Sequence, residues 1–481
     1  MSTADFIALS PMLVLAGGAT LIMLQIAFLR SVGLTATLAT LTLGLAALSC
    51  LFAGDVAPRQ VTPLLLVDDW ALLFSILFCL AGAVTVLLSR DYIRFHGDEP
   101  EEYFLLLVLS TLGACVLAQA NHLASLLLGL ELMSIALYAL VAYPNKSILP
   151  LEAAIKYLVL SGAASATILF GFALLYAETG ALEFAAMGEA LAGPDTSTAV
   201  LMVGAAMVFA GLAFKLSIVP FHLWTPDVYD GAPAPVTGYL ASVAKAAVFV
   251  ALLRLFIDAD LFRYGRLVEL TGLMAIFSML AGNLLALLQT NIKRLLAYSS
   301  IAHVGYVLIL LMVCLRVPDY DLAREAAAFY LIAYTVTTLA AFGLLTLISA
   351  EHLERENAQL QHVSGLFWRQ PILAGLFLVA LLSLAGIPLT AGFVGKFYLF
   401  AAAVDGTNWA LLAALIVGSG IGIYYYLRVV YYMTRRPEEH GIEDRVPIRA
   451  HTLLLCLALI ATILVIGTLP QSLMGYIQSI L

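Results

Sequence analysis

Four lysines stand inside apolar stretches: Lys156 in "EAAIKYLVLSGAASA", Lys215 in "GLAFKLSIVPF", Lys245 in "LASVAKAAVFVALL" and Lys396 in "AGFVGKFYLFAAA". The two other lysines, Lys146 and Lys293, lie near span ends, from which a side chain can reach water. A lysine at the centre of a bilayer costs about 2.5–3.5 kcal/mol on insertion scales. Four of them are expected to face a hydrated interior or a counter-charge. One acid lies deep in a span, Glu131 in "LASLLLGLELMSIALYAL", and His303 in "YSSIAHVGYVLILL" is a second titratable group at depth. The chemistry such a set can do is proton exchange. Desolvation favours a neutral amine and a nearby carboxylate favours the ammonium. An amine held between those influences can lose and regain a proton when its partner moves. Plainer roles exist for each residue. Lys156 can snorkel to the headgroups, the other three can be structural ion-pair partners, Glu131 a counter-ion and His303 a satisfied interior histidine.

Two of the lysines sit beside a proline. "KLSIVPFHLWTPDVYDGAPAP" runs apolar up to Pro220, and "SLAGIPLTAGFVGKF" carries Gly386, Pro388 and Gly392 ahead of Lys396. Proline removes a helix hydrogen bond. Unwound backbone at membrane depth is tolerated only against protein or a water-filled cavity. Interrupted helices at matching places in two halves point to an inverted repeat with sites at the breaks.

The elements that must carry these residues follow from composition. The chain has 481 residues, of which 63% are hydrophobic and 11% charged, with a mean hydropathy of +1.01. That charge cannot coat the soluble domains a chain of this length would form. Apolar runs near 20 residues, the length that crosses a bilayer core of roughly 30 Å, recur along it. The expectation is an all-α integral membrane protein of about fourteen spans, near 5–29, 32–53, 64–89, 103–120, 122–143, 152–177, 199–222, 236–257, 267–289, 293–315, 326–349, 371–401, 408–433 and 450–477. A barrel would show short alternating strands instead. Spans 4–8 and 9–13 form two inverted five-helix repeats, with breaks in spans 7 and 12. The expected parts are an N-terminal three-helix segment (1–100), a first repeat (101–260), a second repeat (261–435) and a C-terminal helix (436–481).

One set of loops holds Arg30, Arg90, Arg94, Lys146, Lys293, Arg294, Arg355, Arg369, Arg435, Arg436, Arg445 and Arg449; the other holds Arg59, Arg263, Arg266, Arg316 and Arg324. The positive-inside rule puts the first set in the cytoplasm and both termini outside. The N-terminus carries Asp5 and no basic residue ahead of its apolar run, so it reads as a retained span, not a secretory signal. The five cysteines (Cys50, Cys79, Cys115, Cys314 and Cys456) form no CxxC pair and read as core residues. No glycine-rich nucleotide loop and no cysteine cluster for an iron–sulfur centre stands out. No metal or cofactor site is expected in this chain. Its net charge of −8 says little about partners, because the acids are spread through short loops; no nucleic-acid partner is expected.

A Glu in the fifth span, lysines in the seventh and eighth, and a lysine in a broken twelfth resemble the antiporter-like subunits of respiratory complex I. That family also includes subunits of multi-subunit cation/proton antiporters and membrane-bound hydrogenases. The stretches that carry the resemblance are "KLSIVPFHLWTPDVYDGAPAPVTGYLASVAKAA", "TNIKRLLAYSSIAHVGY" and "LLSLAGIPLTAGFVGKF". It covers spans four to thirteen. Lysine at 396 departs from the M type of subunit, and an end after the fourteenth span departs from the L type with its lateral helix.

The resemblance implies a proton-translocating module of an NADH:quinone oxidoreductase, driven by quinone reduction elsewhere in the complex. Lys215 would be the pumping lysine paired with Glu131. Lys245 would be the central relay with His303 beside it, Lys396 the terminal site and Lys156 an accessory. NADH, FMN, iron–sulfur clusters and quinone would bind to other subunits. Partners would be M-type and K-type membrane subunits, the L-type lateral helix and lipid, in a bacterial inner membrane. Three other readings stand beside it. A sodium- or potassium-for-proton antiporter would need acidic or carbonyl ligands for its cation, and Glu131 is the only strong deep acid. A non-pumping bridge gives no reason for buried lysines. A quinone-binding redox enzyme has no cofactor motif.

Overall fold

The computed structural model describes residues 1–96, 100–143, 148–191, 198–261, 265–314, 321–349, 358–406, 408–436 and 450–480. The expected loop cations Lys146, Arg263, Arg316, Arg355, Arg445 and Arg449 lie outside them. Among the described residues, thirteen helices are long and apolar enough to cross a membrane. They fall at the expected first to eleventh, thirteenth and fourteenth spans. The twelfth is absent from that set because it is split into Pro371–Ala385 and Ala391–Asp405. Each half has 15 residues, about 22 Å of helix, too short to cross alone. One element departs from the all-α expectation: Arg59–Thr62 and Leu65–Val67 form a small antiparallel hairpin between the second and third spans.

The chain forms two compact units. The first comprises Met1–Val86, Gly97–Trp224 and Val243–Thr271; the second comprises Leu87–His96, Thr225–Ser242 and Gly272–Leu481.

In the first unit, the sixth span (Ile148–Thr179) lies against the seventh (Thr198–Leu216). Small residues let their backbones approach, the usual device where lipid supplies no hydrophobic drive between helices. A Cβ at Gly211 would sit 2.8 Å from the Ala164 carbonyl oxygen and 2.3 Å from Ile168 Cγ1. That contact fixes the register one turn before Lys215 and brings the lysine level with Ser161.

The fifth span (Leu123–Val141) starts at His122, whose Nδ1 accepts the Ala124 N–H at 3.0 Å. His122 lies just outside the span. Burial lowers its pKa below the ordinary 6.5, with Glu183 acting the other way. The neutral ring is the form that accepts the N–H. Its contribution is therefore complete above the unfolded value of about 6.5 and is lost as pH falls through the folded value. His122→Leu is expected to cost about 1 kcal/mol of stability, the usual worth of an N-cap. Thermal unfolding of parent and variant should differ at pH 7.5 and converge toward pH 5; a gap that is independent of pH would disprove the assignment.

In the second unit, the tenth span (Ile292–Val313) is buried along its length, and the eleventh (Asp321–Ser349) packs against it and both halves of the twelfth. Lys293 does not reach water, contrary to its place near a span end. It is 2% exposed, and its Nζ donates to the carbonyls of Ala232 at 2.6 Å and Asp230 at 3.2 Å. Those carbonyls end the short helix Trp224–Gly231, and a cation satisfies them.

Both breaks are built the same way. At the first, the Ser217 N–H donates to Phe214 and the Ile218 N–H to Ala213, with Ser217 left-handed at φ 65°. At the second, the Gly386 N–H donates to Ser383 and the Ile387 N–H to Leu382, with Gly386 at φ 81°. This is the Schellman ending, with a proline following because the helix cannot continue. Glycine carries the left-handed residue at the second break without strain; serine carries it at the first.

Candidate proton-transfer sites

The first cluster is built on three helices of the first unit. Glu131, Ser134 and Tyr138 share one face of the fifth span at helical spacing. Ser161 and Ser165 stand one turn apart on the sixth. Lys215 projects from the last turn of the seventh, where the end of the helix favours a cation. Lys215 is 6% exposed, and its Nζ donates to Ser161 Oγ at 2.6 Å and to Ser134 Oγ at 2.8 Å. Tyr138 donates to Ser161 at 2.6 Å, and Ser165 donates to Glu131 Oε1 at 2.5 Å. The ammonium is thus met by serine hydroxyls, and Glu131 acts on it through space. No direct Glu131–Lys215 ion pair occurs among the described residues.

Aromatic rings close the cluster. Tyr157 stacks on Trp224 at 4.7 Å, and Tyr138 meets Tyr157 edge-on at 5.0 Å. The Trp224 indole donates to the Phe214 carbonyl at 3.0 Å, beside the break. Lys245, in the same unit, is 4% exposed and follows directly on a π-helical turn, Leu240–Ala244. Such turns within α-helices are frequent at functional sites.

The second cluster lies in the second unit. His303 is 5% exposed. Its Nδ1 lies 2.6 Å from the Tyr330 hydroxyl and its Nε2 lies 3.4 Å from that of Tyr426, which is also bonded to Ser299. Tyr334 donates to Ser300 at 2.8 Å. Lys396, in the second half of the twelfth span, reaches back to the first. Its Nζ donates to Ala385 O at 2.9 Å and Leu384 O at 3.2 Å, the carbonyls left open by the break. It also lies 5.4 Å from the centroid of Tyr306, whose ring meets His303 at 5.4 Å on its other contact. A single aromatic ring therefore touches both groups.

Lys156 joins neither cluster. Its Nζ pairs with Glu152 at 2.7 Å, one turn earlier on the same helix, and its side chain is 42% exposed. Sequence reasoning missed the hydroxyls: Ser134, Tyr138, Ser161 and Ser165 in one unit, and Ser299, Tyr330 and Tyr426 in the other. A signal existed in the helical spacing of Glu131, Ser134 and Tyr138, and in Ser161 and Ser165 one turn apart. Among the described residues, no three His, Cys, Asp or Glu side chains gather as metal ligands. All five cysteines are buried thiols.

Residues 120–422 match the family described as NADH:quinone oxidoreductase/Mrp antiporter, transmembrane. The chain belongs to that family. Within the NADH:quinone oxidoreductase/Mrp antiporter family, it is 48% identical to NADH-quinone oxidoreductase subunit N of Methylococcus capsulatus, over 98% of this chain and 94% of the relative. It is 47% identical to subunit N of Ectopseudomonas mendocina, over 98% and 96% of the two chains. Its fold matches a chain of respiratory complex I from Thermus thermophilus, solved with bound aureothin. That match has a TM-score of 0.81 and 33% identity, over 97% of this chain and 98% of that one. Both broken helices lie inside the matched family region.

Proposed function

We propose that this chain is a proton-translocating membrane-arm subunit, of the subunit N type, in a bacterial NADH:quinone oxidoreductase. The observation that carries the reading is Lys215, an amine buried at a helix break, held by two serine hydroxyls and under the influence of a single carboxylate. A structural ion pair would bring ammonium and carboxylate into contact. Here hydroxyls, which can both donate and accept, stand around the ammonium and carboxylate. Glu131 is the element that moves, Lys215 the exchanging group, Lys245 a relay, and His303 and Lys396 the groups of the second unit. Lys156, paired with Glu152 on an exposed face, is an accessory at the margin. The residue ranges 101–260 and 261–435 are the two repeats that each carry one break.

The energy comes from quinone reduction elsewhere in the complex. NADH, FMN, iron–sulfur clusters and quinone belong to other subunits, and this chain contributes no redox centre. M-type and K-type subunits and the L-type lateral helix are its neighbours in the inner membrane, with both termini periplasmic. The hydroxyl-lined Lys215 site, with Glu131 the one acid in the first cluster, favours a proton over a metal cation as the coupling ion.

The test is Glu131→Gln in membrane vesicles, with NADH oxidation, the proton gradient and the amount of assembled complex all recorded. Glutamine keeps the Ser165 hydrogen bond and removes the charge. A fall of about tenfold or more in proton transport, with the complex intact, is expected from the loss of a proton-transfer partner. Parental proton yield would reduce Glu131 to a structural residue.

A further inference from the structure

Two arginines stand over aromatic rings where the thirteenth span ends, in the second unit. That span, Trp409–Thr434, closes in "YYMTRR". The Arg435 guanidinium carbon lies 5.7 Å from the centroid of Tyr432 and 5.9 Å from that of Tyr431; that of Arg436 lies 6.0 Å from the centroid of Trp368. Trp368 belongs to the short helix Leu366–Arg369 ahead of the twelfth span, and its indole donates to the Thr434 carbonyl at 3.1 Å. The Gly365 N–H donates to Tyr432 O at 3.2 Å, and the Thr434 hydroxyl donates to Tyr431 O at 2.9 Å. Carbonyls that end a helix ordinarily draw nearby cations. Here other donors take them. Among the described residues, both arginines meet rings and neither meets a carboxylate. A guanidinium packed on a ring keeps its N–H donors for an outside ligand.

The same face of the span continues apolar. Tyr431, Leu427, Tyr424, Gly420, Val417 and Ile416 recur at helical spacing and are all exposed. Nothing lies within 4 Å of a Cβ at Gly420, which leaves a slot in that face. Gly420 is about 16 Å along the helix from Tyr431, close to half of a bilayer core roughly 30 Å thick. Tyrosine and tryptophan mark the headgroup level of a span. The cations thus stand at headgroup level over an apolar slot one leaflet deep. A free anion would use the cations and not the slot; an uncharged lipid would use the slot and not the cations.

We propose that this end of the thirteenth span binds one anionic phospholipid, with Arg435 and Arg436 on its phosphate and an acyl chain along the stripe to Gly420. Guanidinium and phosphate pair bidentately, which lysine does not reproduce. The rings of Trp368, Tyr431 and Tyr432 hold both guanidiniums in place beforehand, so less side-chain freedom is lost on binding. The positive-inside rule assigns the site to the cytoplasmic leaflet. It does not depend on the proton-transfer reading.

The test uses the whole complex in phosphatidylcholine vesicles that hold a graded fraction of phosphatidylglycerol with a photoactivatable acyl chain. After illumination, labelled residues are mapped by mass spectrometry, and assembly is followed on native gels. Label is expected between Ile416 and Tyr431, displaced by unlabelled phosphatidylglycerol and unaffected by inorganic phosphate. A phosphatidylcholine probe with the same photoactivatable chain should label this stretch less. Arg435→Gln and Arg436→Gln should each raise the half-saturating fraction of probe about fivefold, and the double variant about 30-fold. Replacing both by lysine keeps the charge and should still lose part of the affinity. Arg30→Gln removes a guanidinium already held by Glu102 at 2.6 Å and should leave this labelling unchanged. Displacement by inorganic phosphate would make this a free-phosphate site and overturn the lipid. Equal labelling by the phosphatidylcholine probe, or parental labelling in the double glutamine variant, would reduce the stretch to ordinary lipid boundary and overturn the site. Absence of label from the parent, with assembly lost in the double variant, would put a neighbouring subunit on this face and overturn it as well. Should the double variant fail to assemble while the parent is labelled, the two single variants decide the matter.

Discussion

Lys215→Ala is expected to leave an assembled complex that no longer builds the proton gradient of the parent. The variant removes an ammonium that donates to Ser134 and Ser161. Both hydroxyls can turn to other acceptors, and Tyr138 still donates to Ser161. The stability cost is therefore modest, about 1–2 kcal/mol for lost hydrogen bonds and a small cavity. The functional loss is much larger, because a positioned proton-transfer group contributes about 10²–10⁴-fold. Lys215→Arg separates charge from exchange. Arginine keeps the cation and does not give up its proton in proteins. A site that needs only a positive charge would work with arginine; a site that must cycle its proton would fail with it as with alanine. NADH oxidation, the proton gradient and assembly, measured together on both variants, decide the point. Unchanged proton yield in Lys215→Ala would make the lysine structural.

The second large effect is expected at Gly392. It opens the second half of the twelfth span, and a Cβ there would lie 1.8 Å from the Ser383 carbonyl oxygen. The clash is with backbone, so no side-chain rotation relieves it. The two halves must separate, and the Gly392 N–H loses Ser383 Oγ. Lys396, one turn further on, is drawn from the carbonyls of Leu384 and Ala385. Gly392→Ala should destabilise the chain by about 3 kcal/mol, the upper range for overpacking, and lower both assembly and transport. Gly420→Ala is the matched control. Nothing lies within 4 Å of a Cβ at Gly420, and the residue is helical, so the change should stay within about 0.5 kcal/mol. Native-gel abundance and thermal unfolding compare the two. Equal abundance would show that the halves of the twelfth span are not held as described.

The breaks were legible because proline and glycine leave few choices. Pro220, Gly386 and Pro388 each forbid or disfavour a continued helix, and the apolar flanks fix its depth. The buried lysines were legible for the opposite reason: an expensive residue in an apolar run is conspicuous. The partners of those lysines were not. Serine and tyrosine are ordinary in membrane helices, and only packing shows that Ser134 and Ser161 converge on one amine. Lys293 was hidden by position, since a lysine two residues from a helix start reads as solvated until the carbonyls of another segment are brought to it. Lys156 shows the reverse. Glu152 stands four residues earlier, the spacing of a helical ion pair, and the apolar run drew more notice than its neighbour. The hairpin at Arg59–Val67 gave no usable signal, because three or four residues per strand carry too little alternation.

The bonds from Lys396 to the end of the preceding half-helix have a mechanical meaning. A charged amine is a stronger donor than a neutral one. On the proposed reading, in which Lys396 exchanges a proton, loss of its charge would weaken its hold on the two carbonyls that close Pro371–Ala385. The proton site and the tie between the two half-helices would then be one side chain.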